Sequence, residues 1–330
     1  MIFLKSIPSN ILLKMYTTML RIRKFEERAG DLILRGEIKT PCHLYIGEEA
    51  VATGVCCALN KEDYIFGNHR SHGHYIAKGG DIKKLMAEIF CKVTGCSKGK
   101  GGSMHIIAPE VGLLGTPPIV AASIPIAVGA ALSSLLKKEN RVAVSFFGDG
   151  ATNEGVFYES LNFASLKKLP VIFVCENNLY STHMPISKIL ADTNIAKKTE
   201  GFGLPGIQIN GNDVIKIYET AKEAIGKARN GEGPTLIECL TYRWRGHVGP
   251  NDNIQGTHTD IRPREELDFW KEKCPIRRLE ETLMKENILS EESKNQISQK
   301  IEKETEEAIK FAKESPYPEG SELFKDIFKI

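Results

Sequence analysis

Apolar residues recur at spacings of three and four through Ile11, Leu12, Met15, Met19, Ile22 and Phe25, which predicts a helix over 11–36. A polar, glycine-bearing stretch follows, and a short helix of small residues is expected from Glu48 to Leu59. Tyr64-Ile65-Phe66 reads as a brief strand that runs out into Gly67-Asn68-His69-Arg70-Ser71-His72-Gly73-His74. Amphipathic spacing predicts a helix over Asp81–Val93, and small residues predict another over Ser123–Leu136. Between them, residues 95–118 are too rich in glycine to be regular throughout.

The centre of the chain has the clearest pattern. Val142–Phe147 is a continuous apolar run ending in Gly148-Asp149-Gly150, as expected of a parallel strand covered on both faces. A helix expected to start near Thr152 places Val156, Phe157, Leu161 and Ala164 on one face and ends at Leu169-Pro170. Val171–Cys175 is a second buried strand, closed by Glu176-Asn177-Asn178. Together these make one βαβ unit, which should be right-handed. Two further strands are expected at 206–209 and 235–239, with a helix over Asp213–Arg229 between them. Beyond residue 270 the chain is charged and helical, with a thin apolar stripe at Ile297, Ile301, Ala308, Ile309 and Ala312. The expected class is α/β: a mainly parallel sheet flanked by helices over 1–270, with 271–330 as a helical C-terminal extension of the same domain.

Composition narrows the function. Lys and Arg total 44 against 42 Asp and Glu, a net charge of +2, which argues against broad electrostatic binding of nucleic acid. The longest mainly apolar run, Ile119–Leu136, carries Ser123, Pro125 and Gly129 and reads as core rather than a membrane span. The eight cysteines form no C-x-x-C pair, so reduced thiols in a cytoplasmic protein are expected. The N-terminus lacks the pattern of a secretory signal, so the mature chain is expected to start at Met1.

Ligands of open parallel sheets bind beyond the carboxyl ends of the strands. Asp149 lies just past one such end, and Asn177 and Asn178 just past the next. Neighbouring strands are ~5 Å apart, so a carboxylate and a carboxamide from these ends can meet at one hard cation, completed by phosphate oxygens. Gly148 and Gly150 permit close approach of the backbone, and a helix N-terminus aimed there would favour phosphate. Asp149 alone is as well explained by a capped strand-to-helix turn. The joint pattern of G-D-G, 26 residues and N-N across a strand–helix–strand unit is far more specific. There is no G-x-x-x-x-G-K-[ST], and no G-x-G-x-x-G after a predicted strand, which disfavours a P-loop and a nicotinamide-binding fold.

This pattern matches the thiamine diphosphate signature. With HLYIGEEA (43–50), NHRSHGHYIAKG (68–79), GCSKGKGGSMH (95–105), IVAASIP (119–125), FGDGATNEG (147–155), CENNLYST (175–182) and YRWRGH (242–247), the chain resembles the alpha subunits of decarboxylating 2-oxoacid dehydrogenases, the pyruvate and acetoin enzymes above all. The resemblance implies a thiamine diphosphate-binding fold. It also implies that Asp149, Asn178 and the Tyr180 carbonyl hold magnesium, and that Gly150 and Ala151 present amides to the diphosphate. Arg70 would contact the diphosphate, with His69 beside it where relatives often have Tyr. Pro118 and Val120 would line the aminopyrimidine, and His43 and His247 would flank the reacting centre or the diphosphate.

The same resemblance implies a beta subunit in an α2β2 heterotetramer, a lipoyl-bearing acyltransferase partner, and pyruvate, another 2-oxoacid (branched-chain ones included) or acetoin as substrate. An alternative of another class is a non-catalytic subunit that binds the cofactor for assembly only. His72, His74 and His105 are expected to be structural, as are Glu48 and Glu49. Pro117-Pro118, Ala121 and Ser123 depart from the pattern, and Val248 stands where animal pyruvate enzymes have a phosphorylated Ser, so kinase control there is not implied. Residues 247–262 are polar and turn-rich, a length at which loops are usually functional, and are expected to act as a lid ordered by cofactor.

Overall fold

The structure, a computed structural model, describes residues 7–252 and 262–325. Its first helix, α1 (Ser9–Leu34), buries the stripe foreseen from Leu12 to Phe25 and continues it to Leu32. Helix α2 (Glu49–Ala58) is followed by the short strand β1 (Tyr64–Phe66), helices α3 (His72–Ala77) and α4 (Ile82–Ile89), and strand β2 (Leu113–Gly115). Next come α5 (Ser123–Leu136), β3 (Ala143–Gly148), α6 (Gly155–Leu166) and β4 (Val171–Asn177). A two-residue hairpin, β5 (Tyr180–Ser181) and β6 (Met184–Pro185), precedes β7 (Gly206–Asn210), α7 (Val214–Arg229) and β8 (Thr235–Leu240). The chain ends in α8 (Arg264–Glu272), α9 (Pro275–Lys285) and α10 (Glu291–Glu314).

Six strands form one parallel sheet in the order β2-β1-β3-β4-β8-β7. Alternation within β3 explains its unbroken apolar sequence: Val144 and Phe146 join the core on one face, Ala143 and Phe147 the core on the other. The first core is built with α1, α2, α4 and α7, the second with α5 and α6. Helix α10 lies across α1 and α4, its apolar stripe inward. Its outer edge is tied to α1 by Arg21–Glu304, Lys24–Glu302 and Arg28–Glu306, exposed pairs each worth only ~0–1 kcal/mol. All eight cysteines are free. Among the described residues no helix is long and apolar enough to cross a membrane.

The expected elements appear with several differences, the β5–β6 hairpin among them. The segment after β3 does not enter a helix at Thr152; Asp149–Asn153 forms a 3-10 turn and α6 starts at Gly155. The glycine-rich stretch hides an edge strand, β2, too short to leave a periodic signal. Helices α3 and α8 were also not foreseen. Polar and histidine-rich, α3 is held inward by buried hydrogen bonds, and α8 buries Leu267 alone.

Candidate active site

The carboxyl ends of five parallel strands deliver their following residues to one place. After β1 come Asn68, His69 and Arg70; after β2, Pro118 to Ala121 and Ser123; after β3, Asp149 to Ala151; after β4, Asn178; after β8, Arg243 and His247. The β3–β4 register pairs Gly148 with Glu176, and the β4–β8 register pairs Asn177 with Leu240, so these exits are level. Together with His43 and Glu48, from the segment before α2, they line a cleft of about 240 Å³. All eleven residues singled out in the sequence, His43, His69, Arg70, Pro118, Val120, Asp149, Gly150, Ala151, Asn178, Tyr180 and His247, lie on its wall.

One corner is acidic and amide-rich. Asp149 is 1% exposed and its Oδ2 has no hydrogen-bond partner. Burial pushes its carboxyl up to about 6. A buried acceptor without a donor is costly, and this one is chemically suited to a cation. Beside it in the cleft wall, the Asn178 amide donates to Glu48 Oε1 (3.0 Å), while its Oδ1 accepts from the Tyr180 amide (3.3 Å). The Tyr180 hydroxyl donates to Glu266 (2.6 Å), anchoring the turn that carries its main chain past Asn178. Asn177 serves differently. Its amide donates to the buried Glu238 (2.7 Å), and its Oδ1 accepts from the Leu179 amide (3.1 Å). A Cβ at Gly150 would lie 2.3 Å from Ser181 Oγ and 3.0 Å from its Cβ, so the Ser181 side chain would have to give way.

The other corner holds cations and imidazoles. Ser71 Oγ accepts from the Asn68 amide and donates to the Asn68 carbonyl, and Asn68 Oδ1 accepts from the Arg70 amide, a tight turn that places Arg70 inward. The Arg70 guanidinium, 5% exposed, donates to the carbonyls of Leu44 (2.9 Å) and His247 (3.0 Å) and lies 3.7 Å from Glu48 Oε2. Arg243 is also buried. It donates to Thr182 O (2.9 Å), its Nη1 has no partner, and burial pulls it down to about 9. Around them, the rings of His43, His69 and His247 pack with centroids 4.6, 4.9 and 5.2 Å apart. Burial, reinforced by the Arg70 charge, lowers His43 and His247 to about 2 and His69 to about 3, so all three are neutral at pH 7. Two buried guanidiniums with donors to spare, an orphaned carboxylate and exposed main chain at Gly150 make a site for a doubly charged anion bridged by a hard cation.

Several of these residues went unnoticed in the sequence. Glu48, expected to be structural, is a cleft residue that joins Asn178 to Arg70, whereas Glu49 sits in a buried pair with Arg23 (2.6 Å). Burial raises the Glu48 carboxyl to about 7. Arg243 was hidden inside YRWRGH, where nothing distinguishes it from Arg245. Glu176 accepts from the Tyr45 hydroxyl, His74 (2.9 Å) and Asn68 (3.4 Å), and only its position next to N-N could have pointed to it. His72 pairs with Glu26 (2.9 Å) and Ser103 (2.9 Å) in the interior, and His105 is exposed. Ala121, buried in the cleft wall, has φ +66°, the left-handed region that favours glycine. Of the expected lid, residues 253–261 lie outside the described residues. Its flanks are drawn together by Arg262, which donates to the carbonyls of Arg243 (2.7 Å), Arg245 (3.2 Å) and Asp252.

Comparison with known proteins agrees with this architecture. The family model described as "Dehydrogenase E1 component" matches residues 17–321. The chain is 43% identical over 315 residues to the alpha subunit of acetoin:2,6-dichlorophenolindophenol oxidoreductase of Bacillus subtilis, covering 95% of this chain and 92% of the relative. It is 41% identical to the pyruvate dehydrogenase E1 component subunit alpha of Porphyra purpurea, covering 96% and 92%. It is 37% identical to the subunit of the same name from Rickettsia bellii, covering 96% and 95%. With full-length matches of this kind to named alpha subunits, on a parallel sheet whose strand ends converge on one polar cleft, the chain belongs to the dehydrogenase E1 component family as an alpha subunit.

Proposed function

We propose that the cleft binds thiamine diphosphate with magnesium, and that the chain works in an α2β2 heterotetramer that decarboxylates pyruvate and hands the acetyl group to a lipoyl-bearing acyltransferase. The observation that carries this reading is the unpartnered, buried Asp149 Oδ2 at the end of β3, sharing one cleft with Asn178, Arg70 and Arg243. Asp149, Asn178 and the Tyr180 carbonyl would hold the metal. Gly150, Ala151, His69, Arg70 and Arg243 would meet the diphosphate, and Pro118 and Val120 would flank the aminopyrimidine. When bound, the thiazolium supplies a nucleophilic carbon and an electron sink for loss of carbon dioxide.

The chain's own residues do the rest. Asp149 offsets cationic charge, and the two guanidiniums neutralise the diphosphate. Neutral at pH 7, His43 and His247 offer ring-nitrogen lone pairs as hydrogen-bond acceptors near the reacting end. Glu48 Oε1 accepts from Asn178, and its Oε2, 3.7 Å from Arg70, has no hydrogen-bond partner; we assign the carboxyl that activates the pyrimidine to the beta subunit. Ile119 and Val120, 73% and 53% exposed at the mouth, leave that side open for a second chain to bring the activating carboxyl. The eight free thiols support a reducing compartment, and we place the enzyme in the cytoplasm.

Small, buried residues of the cleft wall, Ala121 and Ser123, support a small acyl group. Acetoin cleavage is the second reading, favoured by the similarity to the Bacillus subtilis acetoin oxidoreductase subunit. The test is reconstitution with the beta subunit and an artificial electron acceptor, over pyruvate, branched 2-oxoacids and acetoin. Pyruvate should give the highest kcat/KM, and the chain alone should give no turnover. Preference for acetoin would replace the substrate, and full turnover by the chain alone would overturn the subunit reading.

A further inference from the structure

We propose that His43, His69 and His247 form a binding site for one borderline transition-metal ion, Zn2+ first, and that its occupation excludes diphosphate from the cleft. The three imidazoles come from separate segments: the loop before α2, the exit of β1 and the segment beyond β8. A nitrogen from each lies within 4.8 Å of the other two. The centre of a triangle with 4.8 Å sides is about 2.8 Å from each corner, against ~2.0–2.1 Å for a zinc–imidazole bond. Ring movements of less than about 1 Å close the set.

The donors are also in the right state. Metal binding needs an unprotonated ring nitrogen. His43 Nδ1 is buried with no hydrogen-bond partner, and burial keeps all three rings neutral at pH 7. Three neutral nitrogens suit zinc, cobalt, nickel or copper, whereas magnesium takes oxygen ligands such as those of Asp149 and Asn178. The cleft therefore holds two donor sets of different hardness. His183, exposed at the rim with its ring centroid 6.2 Å from that of His247, is within reach as a fourth ligand. Arg70 opposes the ion, its Nη2 lying 3.5 Å from His247 Nδ1. It is partly offset by Glu48, so affinity should fall well short of a dedicated zinc site. His69 decides the matter, because a Tyr at that position leaves only two imidazoles.

Exclusion of diphosphate rests on the function proposed above, but the metal site does not, and the test separates them. Co2+, the spectroscopic stand-in for zinc, is titrated into the chain assembled with its beta partner. One equivalent with visible ligand-field bands, no near-ultraviolet thiolate charge transfer, and displacement by Zn2+ but not Mg2+ is the expected result. Those bands should be lost in both His69→Tyr and His43→Gln. Thiolate bands from the free cysteines, bands retained in both variants, or no bound ion would overturn the site. Calorimetry with thiamine diphosphate and Mg2+ then tests exclusion. Its apparent dissociation constant should rise about tenfold when free Zn2+ is ~ten times its own dissociation constant, and the rise should vanish in His69→Tyr. Histidine-dependent cobalt bands with unchanged cofactor affinity would keep the metal site and refute exclusion.

Discussion

Replacing Glu88 by Gln should damage the cleft from behind. Glu88 is fully buried on α4, and its two oxygens collect four amides from the glycine-rich segment that follows. Oε2 accepts from Ser97 (2.7 Å) and Gly99 (2.9 Å), and Oε1 from Gly101 (2.8 Å) and Gly102 (3.0 Å). Only an ionised carboxylate offers four acceptor positions with no proton of its own. In Gln, one oxygen becomes an NH2 that faces two N–H donors. Each donor left without an acceptor costs roughly 1–3 kcal/mol, so the substitution should cost about 2–5 kcal/mol after relaxation, a large part of the ~5–15 kcal/mol typical of a domain. The damage should reach the site, because the same segment carries Ser103, bonded to His72, and Met104, which lines the cleft and is tied through its carbonyl to Thr116 (2.8 Å). Urea unfolding and hydrogen exchange at residues 97–102 are the assays. A loss below about 1 kcal/mol with unchanged amide protection would refute the reasoning.

Other outcomes follow from the same geometry. Gly150→Ala would put a Cβ 2.3 Å from Ser181 Oγ. It should weaken cofactor binding at least tenfold (~1.4 kcal/mol) by calorimetry, and Ser181→Ala should recover part of the loss; no recovery would mean that the clash is not with Ser181. Ala121→Gly should stabilise the chain by up to about 1 kcal/mol, the relief of a left-handed φ exceeding the added freedom of the unfolded chain; a loss of stability in urea would contradict this. The histidines should make the ligand-free protein acid-sensitive. Their folded values are depressed to about 2–3, so below the unfolded value of ~6.5 only the unfolded chain takes up protons. Stability is then full above pH 6.5 and falls with pH by up to about 1.4 kcal/mol per unit for each histidine. Glu48 and Asp149, with raised values, act in the opposite sense over pH 7 to 4. The signal is therefore the difference between wild type and the triple His→Gln variant, and a difference independent of pH between 6.5 and 5 would count against neutral buried rings.

Where side chains obey a period, the sequence was enough. Helix α1 declares itself through apolar spacing, α5 through small residues, and strands β3 and β4 through unbroken apolar runs, and G-D-G with N-N locates the acidic, amide-rich corner of the cleft because motif and topology coincide there. What escaped is held together by long-range polar contacts, which leave no periodic trace. Strand β2 has three residues, and its partners lie some 50 positions earlier in the chain, so only the assembled sheet defines it. Glu48 and Glu49 are adjacent and chemically identical, yet one pairs with Arg70 in the cleft and the other with Arg23 beneath it. The start of the helix after β3 was misjudged because the residues after Asp149 suit a 3-10 turn as well as a first α-turn, and only Thr152 Oγ1 donating to Asp149 O (2.8 Å) selects it.

We propose that the ends of β3 and β4 hold a magnesium–diphosphate pair. It is tested most directly by calorimetric titration of thiamine diphosphate into the chain assembled with its beta subunit, with and without Mg2+, for wild type and Asp149→Ala. Asp149 sits in the turn beyond β3 rather than in either core, so the variant should fold and assemble normally. Wild type should bind tightly only with Mg2+, and Asp149→Ala should lose that dependence together with at least ~100-fold in affinity (~2.7 kcal/mol). Equal, magnesium-dependent binding by a correctly assembled Asp149→Ala protein would contradict the account.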